Sequence, residues 1–350
     1  MKRHGNLWEK IVSYENLLAA HKAASQGKRH YRSVMRVDGN IEQSLLEIQR
    51  LLNAGEFKTG RYKRSNIVER GKEREIFSLP YFPDRVIQHA FVQVLAPIWQ
   101  SSMIRGTYSS IPGRGIHDAK TRLSKELKEN PNETVYCLKI DIRKFYPSIN
   151  HQKMMLIIRE KIKDKRVLAV LDEVISSVHV TSKNTGIPIG NYLSQWFANI
   201  YLAEMDWKIK QFYKIKYYHR YCDDAIIIDK YKSYLHVIRR DLSTFLEDEF
   251  KLDMKDNWQV FPIAKRGIDF IGYRFWHDKV LLRKRIKKRM AKKLSVQKGK
   301  RSEASYRSSE KAVASYNGWL SHGSTRNLRN KMLPPWIEMI NYENSKQRTP

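Results

Sequence analysis

Two aspartates in succession, Asp223 and Asp224, stand between Tyr217-Tyr218-His219 and the β-branched run Ile226-Ile227-Ile228. An aromatic strand, a tight turn and a branched apolar strand predict a β-hairpin with both carboxylates at its turn. An Asp-Asp pair by itself is an ordinary solvated turn, chosen for its local hydrogen bonds. The flanking strands, however, are too apolar for a surface hairpin, so the turn is expected to top a sheet packed on a core. Two carboxylates fixed side by side repel each other, and a divalent cation keeps both ionised. Such a site needs a further oxygen ligand from elsewhere in the chain. Residues 135–142 form a nearly continuous apolar run, as of a strand covered on both faces, and deliver Asp141 at its end.

The Asp141-Ile142-x-x-Phe145-Tyr146 segment and the Tyr221-Cys222-Asp223-Asp224 hairpin together resemble the catalytic palm of reverse transcriptases. The resemblance implies an α+β fold, a right-hand polymerase with fingers, a palm of antiparallel sheet with helices, and a helical thumb. It assigns residues 1–134 to N-terminal helices and fingers, 135–276 to the palm with a helical insertion at about 151–185, and 277–350 to a basic thumb. Asp141, Asp223 and Asp224 would be catalytic and would bind two Mg2+ ions, with Mn2+ as a substitute. Asp141 and Asp223 would bridge the ions, Asp224 would support them and the Ile142 carbonyl would complete the site. An all-oxygen set suits magnesium.

Upstream, Arg70-Gly71-Lys72-Glu73-Arg74 reads as the tip of a basic hairpin, and Asp84-Arg85-x-x-Gln88 follows. Both resemble the fingers of retroelement polymerases, in which Lys72 and Arg74 would clamp the triphosphate of the incoming nucleotide. Asp84 and Arg85 are expected to form structural ion pairs. Residues 108–119 read as a loop entering a helix, with His117 a cap or packing residue. Phe145 and Tyr146, read from the residues alone, are core aromatics. By the resemblance, Tyr146 lies under the sugar and selects deoxynucleotides.

The second decisive stretch is Gly186-Ile187-Pro188-Ile189-Gly190, followed by Ser194-Gln195. Gly and Pro break the chain just before a helix, whose first turn is expected to offer free N–H groups to a bound phosphate. Most reverse transcriptases have Pro-Gln-Gly here and Ser-Pro further on. The combination in this chain, with Gly267-Ile268-Asp269-Phe270-Ile271-Gly272-Tyr273 and Ser315-Tyr316-Asn317-Gly318-Trp319-Leu320, resembles the reverse transcriptases of diversity-generating retroelements. That resemblance implies error-prone, adenine-mutagenised copying of a template-repeat RNA into cDNA, with partners that include the RNA/cDNA duplex, deoxynucleoside triphosphates and a pentameric basic accessory variability protein. Ile189 and Gly190 would touch the nucleotide. Glutamine at 189 could hydrogen-bond the nucleotide whereas isoleucine offers only shape, so Ile189 is expected to lower fidelity.

Composition bounds the alternatives. The chain has 350 residues, 41% of them hydrophobic, enough for a sizeable core. Its 66 Lys and Arg against 36 Asp and Glu give a net charge of +30, the footprint of a nucleic-acid binder rather than of a small-molecule enzyme. No apolar run reaches transmembrane length and no signal peptide opens the chain, so no membrane partner is expected. Cys137 and Cys222, too few for a disulfide framework or a four-cysteine zinc site, favour a reducing cytoplasm.

Helices are expected over residues 7–24 and 41–52, joined by a basic link at 28–32. Residues 251–258 are expected to form the strand after the aspartate hairpin. The general acid for pyrophosphate release is left open between Lys255, Lys265 and neither. Phe270 to Phe275 reads as a hairpin gripping the primer. From 282 a cationic helix with Ile286, Met290 and Leu294 on one stripe begins the thumb, followed by a loose connector at 302–309 and helices near 312–320 and 336–342. No nuclease or maturase-type extension follows, which argues against an intron-encoded protein. A retron or phage-defence reverse transcriptase and a catalytically lapsed RNA-binding scaffold are the alternatives.

Overall fold

The computed structural model describes residues 3–69, 72–178, 184–297 and 303–333. From the N-terminus come α1 (Trp8–Val12), α2 (Tyr14–Ser25), α3 (Arg32–Asp38) and α4 (Ile41–Asn53), then the hairpin of β1 (Lys63–Glu69) and β2 (Lys72–Ser78). Next are α5 (Val86–Gln100), β3 (Thr107–Tyr108), α6 (Ile116–Glu129), β4 (Tyr136–Asp141), α7 (Phe145–Ser148), α8 (His151–Arg159) and α9 (Lys165–Ser176). They lead to α10 (Tyr192–Tyr201), α11 (Ala203–Trp207), β5 (Tyr217–Tyr221), β6 (Asp224–Asp229) and α12 (Lys232–Phe250). The last are β7 (Gln259–Pro262), α13 (Ile263–Arg266), β8 (Ile268–Phe270), β9 (Tyr273–Phe275), β10 (Val280–Leu282), α14 (Lys284–Gln297), α15 (Glu303–Ser321) and α16 (Arg326–Met332). The fold is α+β. Among the described residues no helix is long and apolar enough to cross a membrane.

The chain divides into two compact units. One comprises Met1–Ile111, Ile140–Lys214 and Ile238–Asn257; the other comprises Pro112–Lys139, Ile215–Val237 and Trp258–Pro350. In the first, α5 is the centre: its Val86, Ile87, Ala90, Phe91, Leu95 and Trp99 are buried, and α1, α2 and α10 pack on it. In the second, strands run in the order β5-β6-β4-β7, with β10-β9-β8 forming a separate sheet. Ile226, Ile228, Phe261, Phe270, Tyr273 and Phe275 from these strands share one core with Met290 of α14 and Leu320 of α15. The turn between β8 and β9 uses Ile271 and Gly272, both at positive φ, as a two-residue hairpin requires. A Cβ on Gly272 would stand 2.6 Å from the Trp319 ring.

Several expectations need correcting. The apolar stretch at 7–24 is two helices, because Ser13 at ψ 145° leaves the helix and its hydroxyl caps α2 by accepting the Asn16 N–H at 3.2 Å. The strand expected over 251–258 begins only at Gln259. The preceding residues are committed to ending α12: Lys251 turns left-handed at φ 54°, and the Leu252 N–H reaches back to the Leu246 carbonyl. Only Met254 pairs, in an isolated bridge with Ile142. The connector expected at 302–309 is helical from Glu303 onward, since no Gly or Pro interrupts this segment and serine disfavours a helix only weakly. Of the expected stripe, Met290 is fully buried and Ile286 packs on the same core. The Leu294 side chain and the helix expected near 336–342 lie outside the described residues.

Asp164 ties together two helix starts. Its Oδ2 accepts the N–H groups of Leu7 and Trp8 at 3.0 and 3.1 Å, and its Oδ1 caps α9 at Val167. Asp164→Ala leaves those donors unmatched and is expected to lower stability by about 2 kcal/mol, twice the typical loss of one cap. A urea titration showing less than a few tenths of a kcal/mol would refute this.

Candidate active site

The aspartate hairpin forms as its sequence predicts, with β5 and β6 antiparallel and Tyr221 opposite Asp224. Cys222 and Asp223 make the turn, and Cys222 adopts φ 57°. Every residue from Tyr217 to Arg220 is buried, as is each from Ala225 to Ile228. A fully buried arginine is rare unless its guanidinium is occupied. Arg220 is fully buried and donates through Nη1 to the Cys222 carbonyl at 2.9 Å, which braces the strained turn from behind. One strand step away, His219 Nε2 meets Glu126 Oε2 of α6 at 2.7 Å, and Arg122 holds Glu126 Oε1 at 2.9 Å. Burial pushes the Glu126 carboxyl up, but the bonds and charges of His219 and Arg122 outweigh it and hold the group below its usual range.

Asp224 does not stand by itself on this hairpin. Lys139 of β4 places its ammonium 3.2 Å from Asp224 Oδ2 and 2.5 Å from the Asp269 carbonyl oxygen. The Asp269 carboxylate in turn pairs with the Arg283 guanidinium, immediately ahead of α14. On α14, Arg285, Lys287, Lys288, Arg289, Lys292 and Lys293 are exposed.

In the other unit, Asp141 ends β4 and its Oδ1 lies 2.6 Å from the Lys255 ammonium. The backbone fixes this pair. The Lys255 N–H donates to the Asp141 carbonyl, and the Arg143 N–H donates to the Asp253 carbonyl, each at 2.8 Å. Ile142, opposite Met254 between those bonds, keeps its own carbonyl outside both. Lys255 thus lies against Asp141, whereas Lys265 sits in α13. Among the described residues, no three His, Cys, Asp or Glu side chains converge as a ready metal cluster.

The residues expected to meet the nucleotide also gather in this unit. The Phe77 N–H of β2 donates to the Ile189 carbonyl at 2.9 Å, and the Ile187 N–H donates to the Tyr146 carbonyl at 3.0 Å. Ile189 is thus laced to the strand that carries Arg74, which lies opposite Ile67, and Tyr146 is bonded to the segment that holds Ile189. Phe145 is buried as core while Tyr146 is half-buried. Gly190 takes φ 120°, and a Cβ there would lie 2.7 Å from the Phe77 carbonyl oxygen, so only glycine allows this approach. Lys72 begins β2, and its side chain lies outside the described residues.

The first turn of α10 is not the open phosphate cradle expected of it. Gln88 Oε1 accepts the N–H groups of Tyr192 and Leu193, at 3.0 and 3.4 Å, and so caps the helix from α5. The ion pair expected of Asp84 is likewise absent among the described residues. Its buried carboxylate accepts the Gly60 N–H at 2.8 Å, and burial raises its pKa. His117 stacks on His322, with ring centroids 3.7 Å apart, as a packing residue. The sequence alone assigns no role to Lys139, Arg220 or Gln88. Lys139 does carry a signal, as the one charge inside the apolar β4 run and on the same strand face as Asp141.

A family model described as "Reverse transcriptase (RNA-dependent DNA polymerase)" matches residues 61–275. Among curated proteins, the chain is 23% identical over 310 residues to Protein YkfC of Escherichia coli K12, covering 76% of this chain and 80% of that one. It is 24% identical over 201 residues to the group II intron-encoded protein LtrA of Lactococcus lactis subsp. cremoris, covering 56% of this chain and 32% of LtrA. A solved structure of telomerase from Candida tropicalis in complex with a TWJ fragment of telomeric RNA is also similar. It is 15% identical, with a TM-score of 0.49, over 83% of this chain and 55% of that one.

His89, on α5 beside Gln88, stacks on Tyr192 with ring centroids 4.3 Å apart. Burial, reinforced by the charges of Lys28 and Arg85, lowers its pKa from 6.5 to about 4. Between those values the unfolded chain binds the proton and the folded one does not, so stability rises with pH across this window and falls as pH drops toward 4. His89→Phe keeps the stack and removes the titration. Urea midpoints measured across this window should fall more steeply with acid in the parent than in the variant; equal slopes would count against this origin.

Proposed function

Because the chain belongs to the reverse transcriptase (RNA-dependent DNA polymerase) family, we propose that it copies a template-repeat RNA into adenine-mutagenised cDNA, as a diversity-generating retroelement polymerase does. The family carries RNA-directed DNA polymerase activity. The narrower reading rests on one observation: Ile189, in place of the family's usual glutamine, is laced by its backbone to the β2 strand bearing Arg74. An isoleucine fixed there offers the incoming nucleotide shape but no hydrogen bond.

Asp141, Asp223, Asp224 and the Ile142 carbonyl would be the all-oxygen donors of the kind that Mg2+ or Mn2+ takes. The chemistry of each carboxylate suits such ions, since Asp141 and Asp224 each already hold a cation, the ammonium of Lys255 and of Lys139 respectively. When bound, the ions supply the charge that favours ionisation of the primer hydroxyl and departure of pyrophosphate. Arg74 and Lys72 would hold the triphosphate, and Tyr146 would exclude a 2′-hydroxyl. Lys255, beside Asp141, is placed to steady that carboxylate. The cationic face of α14 suits the backbone of an RNA/cDNA duplex. A pentameric basic accessory protein and a cytoplasmic setting complete the proposal.

The chain spans about a third of LtrA, and kinship with intron-encoded proteins favours a second reading, an accurate reverse transcriptase. Primer extension on an RNA template, sequenced opposite each template base with and without an accessory protein, separates the two. Errors concentrated at adenines, reduced by Ile189→Gln, are the expected result; uniform fidelity at all four bases would sink the diversification reading. Replacing Asp223 and Asp224 by Asn should abolish synthesis while RNA binding persists. Undiminished synthesis by that double variant would overturn the site assignment.

A further inference from the structure

Lys139 is a charge inside an otherwise apolar strand, with a side chain only 25% exposed. Its ammonium has three N–H donors and spends them on two different elements, the Asp224 carboxylate of β6 and the Asp269 carbonyl of β8. Asp269 continues the chain of contacts, because its carboxylate is held by Arg283 at the foot of the cationic helix α14. All four residues lie in the same compact unit. A duplex phosphate arriving at α14 competes with Asp269 for Arg283, since arginine pairs with phosphate in the bidentate geometry it uses for carboxylate.

We propose that Lys139 is a positioning residue that makes cation binding at Asp224 depend on a nucleic-acid duplex held at α14. The inference rests on the reading of Asp224 as a metal carboxylate. Without duplex, Arg283 neutralises Asp269, and Lys139 stays on Asp224, where its ammonium competes with a divalent ion. With duplex, phosphate draws Arg283 away, and the unpaired Asp269 carboxylate attracts the neighbouring ammonium. Lys139 then shifts from Asp224 toward Asp269, and Asp224 becomes available. Linkage requires the converse as well: a cation on Asp224 releases Lys139 and favours the duplex-bound state. The device would withhold the metal site until there is a primer to extend.

The test is an Mn2+ titration of the full chain followed by electron paramagnetic resonance, with and without a short RNA–DNA hybrid. The Asp224-dependent site is defined as the binding lost in Asp224→Asn, which removes ions held by the hybrid itself. In the parent, hybrid should tighten Mn2+ at least about five-fold, the lower end of ordinary coupling between sites. Lys139→Met should bind Mn2+ tightly with or without hybrid, and Asp269→Asn weakly in both states. Lys139→Arg should retain the hybrid effect. A merely structural lysine predicts the opposite for Lys139→Met, weaker Mn2+ binding throughout, and that result overturns the proposal. So does an unchanged hybrid effect in Lys139→Met or Asp269→Asn, or an Asp224-dependent site in the parent that ignores the hybrid. Absence of any Asp224-dependent site in the parent would instead overturn the metal reading, and the inference with it.

Discussion

A half-buried carboxylate must find a positive partner or a set of hydrogen bonds, and the two aspartates that end β4 and begin β6 each find a lysine. Much of the local structure follows from that requirement. Lys139 reaches Asp224 because β4 neighbours β6 in the sheet, and strand alternation puts Lys139 and Asp141 on one face. Lys255 reaches Asp141 because α12 ends in a left-handed turn at Lys251 and the following residues lie along Ile142. Each carboxylate therefore has a cationic partner before any ligand arrives.

The second constraint is the close passage of the Ile189-Gly190 segment against β2. A main-chain bond from Phe77 to Ile189 and a glycine with no room for a Cβ bring two distant parts of the chain together. Gln88 completes this arrangement. By capping α10 from α5, it spends the helix's first N–H groups on structure rather than leaving them for phosphate. Those two N–H groups are therefore not open to a phosphate.

The hairpin, the β4 strand and the cationic helix α14 were legible because each is written in local pattern: β-branched runs, a continuous apolar run, and an apolar stripe recurring every fourth residue. What the sequence concealed depends on pairing over long distances. Nothing near Gln88 announces that it caps a helix more than a hundred residues later, and nothing near Asp84 announces that the Gly60 N–H replaces an ion pair. The expected strand at 251–258 failed for a different reason. Its Asp, Asn and Lys residues favour a strand only weakly, and the helix before them uses two of their N–H groups to close its last turn.

The placement of Ile189 bears on how fidelity would be set. Its position is determined by a backbone bond to β2 and by the glycine after it, and neither depends on the side chain at 189. A glutamine built on the same backbone would project from the same Cα and differ chiefly in having an amide to offer. Discrimination among bases depends on the difference in free energy between right and wrong pairs, and a polar contact made only with the right pair widens that difference. An apolar side chain contributes equally to every pair of the same shape. Loss of selectivity at this position therefore requires no distortion of the fold, only the exchange of one kind of contact for another.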